Sequence, residues 1–557
     1  MKPIQRFFNL LTVDKKDVYQ IFFYALFAGL VSLSLPLGIQ AIINFIQSGR
    51  VSVSWIVLVI GVITGVGFVG LLSLMQLRIS ENIQQKIFVR SSFEFAYRLP
   101  KIKFDELYHN IYPPELANRF FDTLAIQKGI SKLLLDFSSA LLQITFGIIL
   151  LSLYHPFFII FGLLLLVLLY AIFKFSYTTG IETSMAESKF KYRVADWLQE
   201  IARNNSSFRN QVNFDYALRK NNTMVTGYLD FREKHFAVIK RQYSHLIVFK
   251  IIITAGLLLI GGFLVINQQM NIGQFVAAEI IILLVINSVE KIIMGMETFY
   301  DVLTSVEKIA EVVDMDMDND DYTGYDHNYN RLSLVLENVR FKFPDNKNDI
   351  LKNISLQIGI GEKIILSGSN GAGKTTLLRI LSGLLQPSQG SFYINDDTFH
   401  KVNLPQYRSQ TATIIQGETP FEGSLRENIT FNDSSISMED LKWALDSVSL
   451  TTYIKTLPDG LDTKIFPEGK QLSSSNAQKI LLARSIVRKP KILFYEDPTD
   501  RMDEDAARAI IDFICSPVNS WTVIVSSANP YWQLKSSRHI KMEKGKIIDD
   551  IKRNNNA

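Results

Sequence analysis

The chain has 557 residues, of which 48% are hydrophobic and 20% charged, with a formal net charge of +4. That balance excludes a disordered chain, and the length exceeds one ordinary domain. The single cysteine, Cys515, excludes a disulfide framework, and no stripe of Lys and Arg with interleaved aromatics marks a nucleic-acid surface.

Residues 1 to 310 read as a membrane domain. Apolar stretches run over Val18–Phe45, Trp55–Leu77, Leu133–Leu153, Phe157–Phe173, Leu246–Val265 and Phe275–Met294. Each holds at least about 17 mostly apolar residues, enough to cross a hydrocarbon core of about 30 Å as a helix. One such segment fits a soluble core, but about six leave no covering layer, so a multi-pass protein in a lipid bilayer is predicted.

Orientation follows from the basic residues. The connections Leu77–Lys132 and Lys174–His245 carry many, among them Arg78, Lys86, Arg90, Lys189, Arg193 and Arg203, whereas the opposite connections carry only Arg50. The positive-inside rule then predicts a cytoplasmic N-terminus and a cytoplasmic C-terminal half. The first apolar run is too long for a cleaved signal and lacks a small-residue cleavage site. Two ionisable residues fall in or near the spans. Lys250, close to a cytoplasmic end, is expected to snorkel to the interface, and Glu279, about two turns inside the last span, is a candidate for lining a substrate path.

Residues 311 to 330, with Asp314, Asp316, Asp318, Asp320 and Asp321, read as an acidic linker; no EF-hand spacing is present. From Arg331 the pattern becomes soluble α/β. Strands are predicted over Leu334–Leu336, Ile354–Ile358, Ile364–Leu366, Ile492–Tyr495 and Val523–Val525, and helices over Thr375–Leu384, Met438–Ser447, Ser474–Arg488 and Asp503–Cys515. Between the third of these strands and the first helix lies Gly368-Ser369-Asn370-Gly371-Ala372-Gly373-Lys374-Thr375-Thr376, which fits G-x-x-x-x-G-K-[ST]. Its glycines let the backbone curl so that N–H groups cradle phosphates, Lys374 adds a positive charge, and the Thr375 hydroxyl can reach Mg²⁺. A nucleoside triphosphate is the ligand this loop is built for.

Further motifs resemble those of the ABC transporters. Val339-Arg340-Phe341-Lys342-Phe343-Pro344 is similar to the aromatic A-loop, and Ile414-Ile415-Gln416 followed by Pro420–Ile429 to the Q-loop region. Leu457–Thr463 and Leu482–Ile486 complete the frame, and the first half resembles the six-helix membrane domain of exporter-type half-transporters. The resemblance implies an all-α six-helix transmembrane domain followed by an α/β P-loop NTPase domain at 331–557, binding ATP and Mg²⁺. It places the nucleotide on Phe343, on Gly368 to Thr376, and on Ser473 and Ser475 of the signature segment. It places Mg²⁺ on Thr375, Gln416 and Glu496, and the catalytic positions at Asp497, Glu496 and Gln416. It also aligns Pro114–Phe120 and Ala202–Phe208 with coupling helices.

The sequence departs from the family pattern at several points. The signature Leu-Ser-Gly-Gly-Gln is here Leu472-Ser473-Ser474-Ser475-Asn476, which crowds the approach of a helix N-terminus to a γ-phosphate. The acids after Ile492–Tyr495 come as Glu496 then Asp497, in swapped order, so Asp497 reaches about 1.5 Å less far than a Glu would. The histidine after the Val523–Val525 strand is replaced by Ala528, with no substitute nearby in sequence, since His539 lies beyond the next turn and helix. Asp500-Arg501-Met502-Asp503 replaces Ser-Ala-Leu-Asp.

Together these imply a site that binds ATP and hydrolyses it weakly or not at all. Family members act as dimers, and a heterodimer with an intact homologue is easier to power than a homodimer, which stays open. The resemblance further implies export across the plasma (inner) membrane, with peptides or proteins as substrate and a periplasmic adaptor as a possible partner. Lipid or drug export, or an ATP-binding regulatory pseudo-ATPase subunit, are the alternatives.

Overall fold

The computed structural model describes residues 2–47, 53–108, 112–318, 331–344, 346, 348–415 and 417–553. It divides into two compact units, Met1–Lys101 with Tyr112–Met315, and Ile102–Ile111 with Asp316–Ala557.

The first unit is helical. Its elements are α1 (Pro3–Val13), α2 (Lys15–Ser32), α3 (Ser34–Gln47), α4 (Val53–Arg98), α6 (Pro113–Asn118), α7 (Asp122–Tyr154), α8 (Phe157–Arg203), α9 (Gln211–Gly256), α10 (Gly262–Ile266) and α11 (Ile272–Val313); α5 (Phe104–Tyr108) groups with the second unit. Among the described residues six segments are long and apolar enough to cross a membrane: Lys15–Gln47, Val53–Lys101, Pro113–Tyr154, Phe157–Arg203, Gln211–Ile266 and Ile272–Val313. About 20 residues suffice to span, so the 46 residues of α9, about 69 Å of helix, run well past the hydrocarbon. Their outward faces are apolar, with Ile160 70%, Leu163 64% and Phe175 77% exposed, as lipid contact demands. The protein is a multi-pass membrane protein.

Inside the bundle, small residues let helices approach closely. A Cβ on Gly180 of α8 would sit 2.3 Å from Cζ of Tyr300 on α11. The fully buried Tyr300 hydroxyl donates to the Ser176 carbonyl at 3.2 Å and accepts from Gln242 Nε2 at 3.1 Å, tying α8, α9 and α11 together. Gly180→Val is therefore expected to cost about 1–3 kcal/mol through overpacking. Thermal unfolding of the full chain in lipid reads this, with Gly61→Ala, whose Cβ would meet nothing within 4 Å, as the neutral control.

Lys250 pairs with Glu290 on α11 at 2.6 Å. Glu279 is half-buried on α11. The Pro114–Phe120 stretch forms α6 and a following 3-10 turn, and Ala202–Phe208 spans the end of α8 and the turn Asn205–Arg209.

The second unit contains β1 (Leu334–Phe341), β2 (Leu351–Ile358), β3 (Lys363–Ser367), α12 (Lys374–Leu381), β4 (Gln389–Ile394), β5 (Asp397–Thr398), α13 (Leu404–Ser409), β6 (Thr411–Ile414), β7 (Gly423–Ser424), α14 (Leu425–Thr430), α15 (Met438–Ser447), α16 (Thr451–Lys455), β8 (Lys464–Ile465), α17 (Ser474–Ile486), β9 (Ile492–Glu496), α18 (Glu504–Cys515), β10 (Thr522–Ser526), α19 (Pro530–Lys535), β11 (Arg538–Glu543) and β12 (Lys546–Lys552). An antiparallel sheet runs β2-β1-β4-β5, and a six-stranded sheet runs β12-β11-β3-β10-β9-β6, parallel except at β12. Strands β3, β9 and β10 are buried almost throughout, which explains their unbroken apolar sequence. Helix α12 ends earlier than its apolar run suggests. Gly383 turns left-handed at φ +75°, and the amides of Leu384 and Leu385 both return to the Arg379 carbonyl.

The segment before α6 joins this unit rather than the membrane domain to which residues 1 to 310 were assigned. Ile102, 4% exposed, bridges to Met317, the Lys103 amide donates to the Asp316 carbonyl at 2.9 Å, and the Arg379 guanidinium lies 5.0 Å over the Phe104 ring. Burial pushes the Cys515 thiol up to about 12, so it is an inert core group.

Arg538 on β11 is 5% exposed and fully engaged. It donates to both oxygens of Asp550 at 2.7 Å, to Glu362 at 2.9 Å and to the Gln357 carbonyl at 2.6 Å. Its hydrogen bonds hold the Asp550 carboxyl below its ordinary value. A carboxyl depressed on folding stabilises above its unfolded pKa, about 3.9, and loses that contribution as pH falls below it. Asp550→Asn is expected to lower stability at neutral pH and to flatten the further loss below about pH 4, read from denaturation midpoints against pH.

Candidate nucleotide site

The parallel sheet brings the carboxyl ends of β3, β9 and β10 side by side, and each delivers part of one site. From β3 the chain enters the loop Gly368–Gly373. Two of its glycines are required by space as well as dihedral. Gly368 (φ +142°) would place a Cβ 2.1 Å from the Met542 carbonyl oxygen, and Gly373 (φ +96°) one 2.7 Å from Leu351 Cδ2. Lys374 opens α12 and turns its ammonium back over the loop, donating to the Gly368 carbonyl at 2.9 Å and the Ser369 carbonyl at 3.0 Å. Thr375 Oγ1 donates to Glu496 Oε1 at 2.6 Å, joining α12 to the end of β9.

These groups line a cavity of 870 Å³ that includes Gly368, Asn370, Gly371, Ala372, Gly373, Lys374, Thr375, Thr376, Glu496, Asp497 and Ala528. Free amides at a helix start, an ammonium and a hydroxyl–carboxylate pair form a donor set suited to a triphosphate with its divalent cation. Thr375 and Glu496 are the groups that would hold Mg²⁺.

Residues 351–500 match the family model described as ABC transporter. The nucleotide domain is an ABC transporter domain. Its overall fold is that of "a bacterial Atm1-family ABC exporter with ATP bound", with a TM-score of 0.84 over 97% of this chain and 95% of that one, at 16% identity. Among curated proteins it is 29% identical to the leukotoxin translocation ATP-binding protein LktB of Mannheimia haemolytica over 329 residues, 58% of this chain and 45% of that protein. It is also 29% identical to the ATP-dependent permease MDL1 of Candida albicans over 271 residues, 47% of this chain and 40% of that protein. The chain thus spans less than half the length of these relatives.

In this ABC transporter domain the second acid is held differently from the first. Asp497 Oδ1 accepts from the Thr499 amide at 3.2 Å and the Thr499 hydroxyl at 2.8 Å, while Oδ2 accepts from the Ser527 hydroxyl. Its direction is thus fixed by the chain's own turn and by the loop after β10. Asp500, lining the same cavity, is pushed above the ordinary carboxylate range by burial and by the neighbouring Asp497 charge.

Phe343 does not take the expected place. Its ring is 4% exposed and packs edge-on to Phe341 at 4.9 Å within the core, outside the cavity lining. A phenyl ring has no hydroxyl to hold at the surface, so burial against Phe341 wins over presenting a stacking face. Ser473 and Ser475 lie at the start of α17 and are not part of the cavity; Ser473 is its N-cap, accepting from the Asn476 amide at 3.2 Å. Gln416 falls outside the described residues.

The sheet supplies one residue that chain order concealed. His539 was placed out of reach of the site, yet parallel pairing sets it beside Ile365 of β3. It lines the cavity with Nε2 2.6 Å from Ser367 Oγ, and Gln533 and Lys541 line the same wall. The alternation of β11 hints at two faces, but only its register beside β3 brings His539 to the site.

Proposed function

We propose that this chain is the ATP-binding half of a membrane exporter, working with a homologous partner that supplies most of the hydrolysis. The observation that carries this reading is the contrast between the two halves of one cavity. Lys374, Thr375 and Glu496 form a phosphate and cation cradle, whereas Asp497 is held by three hydrogen bonds from Thr499 and Ser527. A general base has to reach the proton it removes at about 2.6–3.2 Å. Asp497 keeps only one lone pair open, on Oδ2, with its direction fixed by the Thr499 and Ser527 bonds, and residue 528 is an alanine with no group to orient water.

In this reading Lys374 and the loop amides neutralise and position the triphosphate, while Thr375 and Glu496 hold Mg²⁺, which supplies charge neutralisation between the phosphates. Ser473 is exposed and Ser475 half-buried, both outside this chain's own cavity, which fits pairing with a homologous chain. The α6 turn and the Asn205–Arg209 turn would pass movement to the spans. The charge bias supports a cytoplasmic nucleotide domain, with the spans read as lying in the plasma (inner) membrane. The name of the leukotoxin relative favours peptides or proteins as cargo, with a periplasmic adaptor as a further partner.

The test is to tag this chain, isolate it in mild detergent from its native membrane, and identify what accompanies it. A co-purifying homologue with intact Asp-Glu and switch His, and turnover by the pair that survives Asp497→Ala in this chain, are the expected results. Turnover by this chain alone at an ordinary enzyme rate would overturn the reading.

A further inference from the structure

A second cavity, of 460 Å³, lies wholly within the membrane unit, between α2, α4, α7 and α11. Its volume falls within the range of about 300–1,000 Å³ of small-ligand sites. Its walls are mostly apolar but carry polar groups where the bilayer would favour none: Ser73 and Gln76 from α4, Asp136, Ser139 and Gln143 from α7, and Lys291 from α11. Against them α2 presents Ala25, Ala28 and Gly29, which leave the space open.

Three of these side chains lack partners. Gln76 is 6% exposed, yet its Nε2 donor makes no hydrogen bond. Asp136 and Lys291 form no ion pair and no side-chain hydrogen bond among the described residues. Other ionisable groups of the bundle do pair: Lys250 with Glu290 at 2.6 Å, and Glu187 with Arg232 at 3.3 Å and the His235 ring at 2.9 Å. Gln143 Oε1 accepts from Ser288 Oγ at 2.8 Å, which leaves its amide nitrogen for another acceptor. Unpaired ionisable groups within spanning helices are costly and mark sites where something else supplies the partner.

We propose that this cavity binds a zwitterionic, peptide-like ligand, with an ammonium group at Asp136, a carboxylate at Lys291 and an amide carbonyl at the Gln76 donor. Each free group on the wall is thereby matched by its complement on one ligand. The proposal rests on the export reading above and names its cargo chemistry, but its test needs neither ATP turnover nor a partner chain.

The test uses the full chain in lipid nanodiscs and tri-alanine as the probe, with free ends, with an acetylated N-terminus, or with an amidated C-terminus, followed by calorimetry. A hydrogen bond to a charged group is worth enough to shift affinity about 10-fold or more. N-acetylation should therefore weaken binding about 10-fold in the unmodified protein and have little further effect in Asp136→Asn. Amidation should do the same with respect to Lys291→Gln. The capped probes act on the unmodified protein, so this arm does not depend on the variants folding, and unchanged ATP binding certifies the variants. Equal binding of free and doubly capped peptide, or no binding at millimolar peptide, overturns the assignment. ATP-driven transport of some other cargo by the same preparation would then leave the export reading standing. Capping-sensitive binding with no transport by the chain and its partner would do the reverse.

Discussion

Reconstituted in lipid without a partner, the chain is expected to hydrolyse ATP at no more than about 0.1 s⁻¹, about 100-fold below a median enzyme turnover of about 10 s⁻¹. Two terms set the size of the effect. A positioned general base contributes about 10²–10⁴-fold, and Asp497 is both one methylene short and bound to Thr499 and Ser527. The second term is the alanine at 528, which leaves the water unoriented from the other side. Asp497→Glu combined with Ala528→His is expected to raise Lys374-dependent turnover about 10-fold or more, with each single change giving less because the two act on one water. Phosphate release from the purified chain, with Lys374→Ala as background, measures this. A wild-type rate near 10 s⁻¹ would mean that Asp497 serves as base from where Thr499 and Ser527 hold it, and that the swapped acids work.

What the sequence made legible follows from how local each signal is. The phosphate loop is a contiguous motif between a strand and a helix, and the structure places Gly368 to Thr376 there with Glu496 alongside. The six spans are legible because lipid leaves hydropathy little competition. Features built from distant segments were not legible. The burial of Phe343 depends on Phe341 and the core beneath it, and the arrival of His539 depends on the β11–β3 register. The Lys250–Glu290 pair depends on which faces of α9 and α11 meet, something hydropathy does not encode. The same holds for the unpartnered Gln76, Asp136 and Lys291, which lie on three different helices. The hold of Ser527 on Asp497 was likewise hidden, since it joins the ends of two strands that are neighbours only in the sheet.

Nucleotide binding should show the opposite pattern from hydrolysis, strong in the native chain and sharply dependent on single residues. Lys374→Ala is expected to weaken MgATP binding about 10- to 100-fold, the worth of one or two charge-assisted hydrogen bonds. The substitution also releases the Gly368 and Ser369 carbonyls, so a thermal midpoint within about 2 °C of the native chain is the control for loop integrity. Glu496→Gln separates the metal from the phosphates. Without Mg²⁺, the Glu496 carboxylate faces the triphosphate as a like charge, so its neutralisation should tighten binding of free ATP. With Mg²⁺ present, the same carboxylate becomes a partner of the cation, and its loss should remove most of the gain that the metal brings. Titrating fluorescent ATP with and without EDTA therefore predicts opposite signs for one substitution. The same sign under both conditions would show that Glu496 serves Thr375 as a structural partner and that Mg²⁺ is held elsewhere.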